Sequence, residues 1–233
     1  MASSPDPADR ALDQRIPEPE LMDEASQAEA YARADFTEPN SAFVGHLETL
    51  FPTLPPAANV LDLGCGPGDI PIRLARRHGG WTVLAVDGAP AMLALANRAI
   101  ADAGLADRIE TRTVRIPDRD ALPRQAFDIV VSNSLLHHLP DPSALWRTIR
   151  WSGRQGAAVM IMDLTRPATE ARARSLVDAY AADEPEVLRR DFFLSLRAAF
   201  RPREIRDQLE TAGLPHLLVD EVSDRHVLVH GIL

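Results

Sequence analysis

The sequence predicts an α/β fold: a seven-stranded, mostly parallel sheet covered by helices on both faces and finished by an antiparallel C-terminal hairpin. Three observations lead there. Short apolar runs alternate with amphipathic helical stretches between residues 59 and 164, a glycine-rich turn follows the first of those runs, and residues 215–233 read as two strands joined by a tight turn.

Taken in order, residues 1–23 are rich in Pro, Asp and Ser and read as a flexible tail. Residues 24–36 and 41–51 space their apolar positions as helices do, with "TEPN" between them and Asn40 or Ser41 as a cap for the second. Residues 24–55 would then be an N-terminal helical lid. The alternation follows: strand 59–64, helix 69–80, strand 81–88, helix 89–105, strands 108–114 and 127–134, helix 142–153 and strand 157–164. Strands this uniformly apolar are buried on both faces, which a parallel sheet between helices requires. Residues 169–200 read as wholly helical, and 201–214 as a further helix with Pro202 at its start and Gly213 at its stop. The stretch 167–213 is thus a helical cap inserted before the hairpin, and residues 24–233 make one domain.

Composition narrows the function. Among 233 residues there is one cysteine, Cys65, so an internal disulfide, a cysteine-rich zinc site and a cysteine-held iron–sulfur cluster are excluded within one chain. All 25 basic residues are arginine, so Schiff-base chemistry on lysine is excluded as well. A net charge of -9 opposes a nucleic-acid partner, whose phosphates demand a basic field. No apolar run approaches the ~20 residues of a membrane span, and no apolar stretch follows a basic start as in a secretory signal. The expectation is a cytoplasmic protein acting on small molecules, with no membrane partner and with homo-oligomerisation left open.

The turn after the first strand, "VLDLGCGPGD" at residues 60–69, places Gly64, Gly66 and Gly68 at alternate positions. Such a turn lets backbone approach a ligand and turns helix-start amides toward it. The spacing is G-x-G-x-G, preceded by Asp62, and so differs from the G-x-G-x-x-G that holds a dinucleotide pyrophosphate. The second strand ends in Asp87, a carboxylate placed to accept hydrogen bonds from ribose hydroxyls. An adenosine without a phosphate bridge suits this pair.

At these residues the sequence resembles the class I S-adenosylmethionine-dependent methyltransferases, whose fold is Rossmann-like: "VLDLGCGPGD" is similar to their first motif, "VLAVDGAPAML" to their second and "FDIVVSNSLLHHLPDP" to the motif after their fourth strand. The resemblance extends over roughly residues 27–231 and implies S-adenosyl-L-methionine as cofactor and a small-molecule methyl acceptor. It implies that Gly64, Cys65, Gly66 and Gly68 lie against the methionine part, that Asp62 orders the loop or reaches the amino group, and that Asp87 binds the ribose. Gly88 and Met92 would flank the adenine, with either Asp118 or the Ile116 region meeting its amine. Tyr31 and Phe36 match the region that folds over the cofactor, and Asn133 lies at the end of the fourth strand.

A sulfonium methyl group is already activated, so the protein must align a nucleophile and, where needed, remove a proton. Candidates for proton removal are His137, His138 and Asp163, at the ends of the fourth and fifth strands. A metal held by His137, His138 and Asp163 is not expected, because adjacent histidines on one turn rarely converge on one ion. Arg166 and Arg190 are candidates for an anionic substrate group, set against the plainer reading that they are solvated or bridge nearby acids. Two alternatives stay open: transfer of a different group from the same cofactor, and a non-catalytic cofactor-binding regulator.

Overall fold

The computed structural model describes residues 10–18, 31 and 36–233. After a first helix, α1 (Thr37–Leu50), the chain winds β1 (Ala57–Leu63), α2 (Asp69–Arg77), β2 (Gly80–Asp87), α3 (Pro90–Asp102), β3 (Ile109–Thr113), β4 (Phe127–Asn133), a short 3-10 turn (Leu136–His138), α4 (Ser143–Ser152) and β5 (Gly153–Leu164). The cap is α5 (Glu170–Tyr180), α6 (Glu186–Ala198) and α7 (Pro202–Thr211), and β6 (Leu218–Glu221) and β7 (His226–Ile232) close the chain. The seven strands lie in the order β3-β2-β1-β4-β5-β7-β6. Every pairing through β5 is parallel, and β7 runs antiparallel to both β5 and β6.

Two apolar layers sandwich the sheet. On one face Phe43 and Leu47 of α1, Leu74 of α2 and Ala96 of α3 pack against Val60, Val83 and Ile129. On the other, Leu145, Trp146 and Ile149 of α4 and Ile205 and Leu209 of α7 cover Leu61, Val130 and Val159. A third cluster joins Leu12, Leu164, Leu176, Val177 and Leu196 beneath the cap. Burial of this extent, at about 25 cal/mol per Å² of apolar surface, is what holds a sheet rigid enough to present its strand ends accurately. The winding direction reverses between β1 and β4, and ligands bind such sheets at the carboxyl side of that point. Among the described residues, no helix is long and apolar enough to cross a membrane.

Three sequence expectations change. The stretch 169–200 is two helices, because Pro185 has no N–H to offer and forces the residue before it out of helical geometry; Thr169 caps the first, its side chain accepting from the Arg172 amide. Helix α1 begins at Thr37, not at 41: Pro39 falls in the first turn, where an amide has no intrahelical partner to lose, and Asn40 is inside the helix. The flexible tail expected over 1–23 does not hold for residues 10–18, which lie as an extended strap across the cap. Leu12 is only 2% exposed, its amide donates to the Ala168 carbonyl at 2.9 Å, and the Ile16 amide donates to the Arg197 carbonyl at 3.0 Å. Apolar burial of one leucine and several backbone bonds give this segment a stabilisation that a tail would lack. Residues 1–9, and the helix expected over 24–36 apart from Tyr31 and Phe36, lie outside the described residues.

Candidate active site

The turn after β1 is built by backbone. The Gly64 and Cys65 amides both donate to the Val86 carbonyl, at 2.8 and 3.0 Å, which ties the loop to β2. Gly64 has φ +78°, and a Cβ there would lie 2.9 Å from the Leu135 side chain, so geometry and packing both require glycine. Gly66 has φ +52° with no atom within 4 Å of where a Cβ would stand; that space is open cleft. Gly68, also left-handed, precedes α2 and packs on Ala96.

Two carboxylates sit beneath this loop. Asp87, at the end of β2, accepts from the Gly66 amide with Oδ2 at 2.9 Å and from the Ala89 amide with Oδ1 at 2.8 Å, and the Gly88 amide adds to its hydrogen bonding. Burial pushes it above the usual carboxylate range despite those bonds. Asp62 is 1% exposed, and its Oδ2 has no hydrogen-bond partner among the described residues. Burial, reinforced by the charge of Asp87, pushes Asp62 up to about 8. Asn133 presents a second buried acceptor without a partner, its Oδ1, while its amide nitrogen faces the Asn40 side chain at 3.4 Å. Asn40 in turn donates to Asp69 at 2.7 Å, so α1 is fastened to the start of α2 beside the glycines.

A compartment of about 160 Å³ lies against Asp62, Gly64, Cys65, Gly66 and Asn133, and a larger cavity of about 470 Å³ continues past Asp87, Met92, His137 and His138 toward the cap. Tyr31 and Phe36 line both, their rings 4.7 Å apart, and Tyr31 packs on Ala89 and Met92. Burial and the charge of Asp87 raise the Tyr31 phenol to about 12. The Cys65 thiol is likewise pushed up by burial and by Asp62 and Asp87, so it is no thiolate nucleophile at neutral pH.

The histidine pair has two different settings. Nδ1 of His137 lies 2.5 Å from Oδ1 of Asp163, with both side chains only 3% exposed. Asp163 also accepts from the Leu164 and His137 amides. Burial opposes charge on either member, yet the Asp163 carboxylate outweighs it and raises His137, while His137 lowers Asp163: they form a buried ion pair. Nδ1 of His138 instead lies 2.6 Å from Oε2 of Glu18, on the strap. Glu18 also accepts from the Ser195 hydroxyl at 2.5 Å; burial works against its charge, but these partners hold it below the usual range. Glu18, His137 and His138 bring their ligand atoms within 4.8 Å of one another, whereas Asp163 stands behind His137 rather than beside His138.

Four sequence candidates are displaced. The Arg166 guanidinium does not reach the cavity: it is fully buried, donating to the carbonyls of Leu12, Asp13 and Ala199 and to both oxygens of Glu204. It fastens the strap to α7, and every donor direction is used, leaving none for a substrate. Arg190 is exposed on α6 and lies outside the cavity walls. Asp118 is exposed and closes its own turn by accepting from the Asp120 and Ala121 amides, and Ile116 packs into the core of the opposite sheet face, so neither lines either compartment.

Four residues were missed. Arg225, stacked 3.3 Å over the Tyr180 ring, and His226, lowered to about 4 by burial and by Arg225, form the outer wall; as hairpin residues they read as structural. Arg15 donates to the His137 and Leu139 carbonyls and, from Nε, to that of Ala198, clamping the strap between the histidine turn and α6. Glu18 is the fourth. The available signal was "PEP": prolines on both sides of Glu18 stiffen that stretch into extended geometry, unlike a freely moving tail.

Comparison with known proteins agrees with this geometry. Residues 60–156 match a family described as "Methyltransferase domain". The trans-aconitate 2-methyltransferase of Mycobacterium tuberculosis (strain ATCC 25177 / H37Ra) is 35% identical over 129 residues, 55% of this chain and 45% of that protein. The chain spans about half the length of the curated relatives it matches. A SAM-dependent methyltransferase from Aquifex aeolicus superposes with a TM-score of 0.65 at 18% identity, covering 90% of this chain and 98% of that one. Phosphoethanolamine N-methyltransferase 2 of Haemonchus contortus, solved with S-adenosyl-L-methionine, gives 0.64 at 17% identity over 87% of this chain and 44% of that one. At such identities the structural likenesses speak for the fold alone. The sequence match marks residues 60–156, from the glycine turn past the fourth strand, as similar to a methyltransferase domain, and the strand order of the whole sheet is that of the Rossmann-like methyltransferase fold.

Proposed function

We propose that the chain binds S-adenosyl-L-methionine in the cleft over the glycine turn and transfers its methyl group to a small-molecule acceptor held in the larger cavity. The observation that carries this reading is the buried, unpartnered Oδ2 of Asp62 beneath the open face of Gly66. An acceptor this deeply buried is costly unless a ligand supplies the missing donor, and a cationic ammonium does so while restoring the carboxylate charge. Asn133 offers a second acceptor beside it. Asp87 keeps a lone pair for ribose hydroxyls after its three backbone bonds, and Tyr31, Phe36 and Met92 supply apolar and aromatic surface for a purine.

The bound cofactor supplies a sulfonium-activated methyl group. The chain does the rest: it orients the acceptor, excludes water beneath the cap, and sets His137 and His138 on the cavity wall, with Asp163 behind His137, where a proton leaves the acceptor. The relatives named above act on small molecules, trans-aconitate and phosphoethanolamine by their names, and a cavity of about 470 Å³ suits an acceptor of that class. Incubating the protein with methyl-labelled S-adenosylmethionine and a metabolite extract, then following the label by mass spectrometry, tests both parts. A labelled small molecule together with S-adenosylhomocysteine is the expected result. Cofactor binding by calorimetry without any labelled product would favour a binding protein instead.

A further inference from the structure

We infer that His138 is the proton acceptor of the transfer and that Glu18, on the N-terminal strap, is the residue that positions it, so that the strap completes the active site and the acceptor carries a proton on its nucleophilic atom. This rests on the methyltransferase reading above. The two histidines share one turn, their rings tilted by 39° with centroids 4.0 Å apart, yet their partners divide the work. His137 is buried and held by Asp163 in an ion pair that also gathers two backbone amides, which makes it a fixed strut under the turn. His138 is 20% exposed, lines the large cavity, and is held through Nδ1 by Glu18; Nε2 has no protein partner among the described residues. A carboxylate on one ring nitrogen fixes the tautomer in which the other is a free acceptor, and it steadies the imidazolium that forms.

The carboxylate is itself held from two sides. The Ser195 hydroxyl on α6 donates to Oε1 of Glu18, and Arg15 three residues earlier anchors the strap to the carbonyls of the histidine turn. Docking of the strap does not depend on Glu18, because Leu12, Arg15 and the buried Arg166 already hold it. The charged and titratable groups that act on His138 are Glu18 from the strap, His137 from its own turn, Asp163 from β5 and Asp87 from β2; Arg15 stands beside Glu18 and Asp163, and Asp191 of α6 lines the same cavity. In the step, the acceptor's oxygen, nitrogen or sulfur forms a bond to the methyl carbon as the carbon–sulfur bond breaks. That bond's electron pair stays on sulfur, and the acceptor's proton passes to Nε2 of His138. Solvent then takes it. A nucleophile with no proton to lose has no need of this pair.

Nitrogen-15 NMR of the imidazole side chains tests the pair in the wild-type protein without cofactor. The neutral His138 ring is expected to carry its proton on Nδ1 and leave Nε2 bare; the opposite tautomer overturns the proposal. Glu18→Gln then removes the charge. Its kcat should fall roughly 10- to 100-fold with cofactor affinity by calorimetry unchanged. The nitrogen-15 signature of the His138 ring should change in this variant while that of His137 stays as it was, and Glu18→Asp should restore part of both the rate and the signature. An unchanged kcat and an unchanged His138 ring signature in a variant that still binds cofactor would overturn the role of Glu18 and leave the methyltransferase reading standing. Failure of the wild-type protein to bind S-adenosylmethionine would remove that reading, while the tautomer measurement would still decide the pair.

Discussion

The floor and the roof of the cavity are made in different ways. The floor consists of strand ends and the turns directly after them: Asp62 and Gly64 to Gly68 follow β1, Asp87 ends β2, and Asn133 ends β4. The roof is assembled from segments far apart in the chain: the break between α5 and α6, the inner side of α6, and the hairpin at Arg225 and His226, with the strap at 10–18 fastened behind them. Each floor residue is placed by sheet register, which three parallel pairings enforce. Roof residues are placed by side-chain contacts such as Arg166 to Glu204 and Arg15 to the histidine turn. The floor should therefore answer for cofactor binding, and the roof for the acceptor and for stability of the closed site.

The largest expected effect is at the roof's fastening. Arg166→Met strands Glu204 and three carbonyls, and should cost about 3 kcal/mol of folding stability, read by denaturant unfolding. The acceptor KM of the folded enzyme should change little. A raised KM with intact stability would mean that Arg166 contacts substrate after all, and the distinction would weaken. Next, His138→Ala should lower turnover by roughly 10² or more while cofactor affinity measured by calorimetry holds. Equal loss of cofactor binding would assign His138 to the floor.

On the floor, Asp87→Ala should weaken cofactor binding by about 1 to 3 kcal/mol, with the acceptor KM unchanged. The smallest effect is a linkage at Asp62. An unfolded aspartate titrates near ~3.9, and the folded group at about 8, so the folded chain retains a proton that the unfolded chain has lost between those values. Its stabilising contribution to the ligand-free protein is complete below the unfolded value and is lost as pH rises toward about 8. Cofactor binding near pH 7 should accordingly release a proton, visible by calorimetry in buffers of different ionisation enthalpy, and Asp62→Asn should abolish that release. Persistence of the release in that variant would assign the proton to another group.

The legibility of the molecule follows the same division. The strands, their order of appearance, the hairpin and the glycine turn could be read because each is encoded in a short window, by apolar runs, glycine spacing or a terminal aspartate. Errors arose where a window was not enough. Thr37–Asn40 has the composition of a break, yet Pro39 fits the first turn of α1; Arg166 has the character of a substrate clamp, yet residues 12, 13, 199 and 204 converge on it. The resemblance offers Asp118 for the adenine amine, yet its Oδ1 accepts from the Asp120 and Ala121 amides to close its own turn, and the residue lines neither compartment.

By itself, then, the sequence determined the sheet, the glycine loop and the two carboxylates beneath it, because backbone conformation and strand burial are local properties of residue type and spacing. Tertiary structure alone decided which histidine is buried against Asp163 and which, partly exposed, meets Glu18. A partner more than a hundred residues away leaves no mark on local periodicity, and the difference between His137 and His138 lies entirely in the carboxylate that the folded chain brings to each.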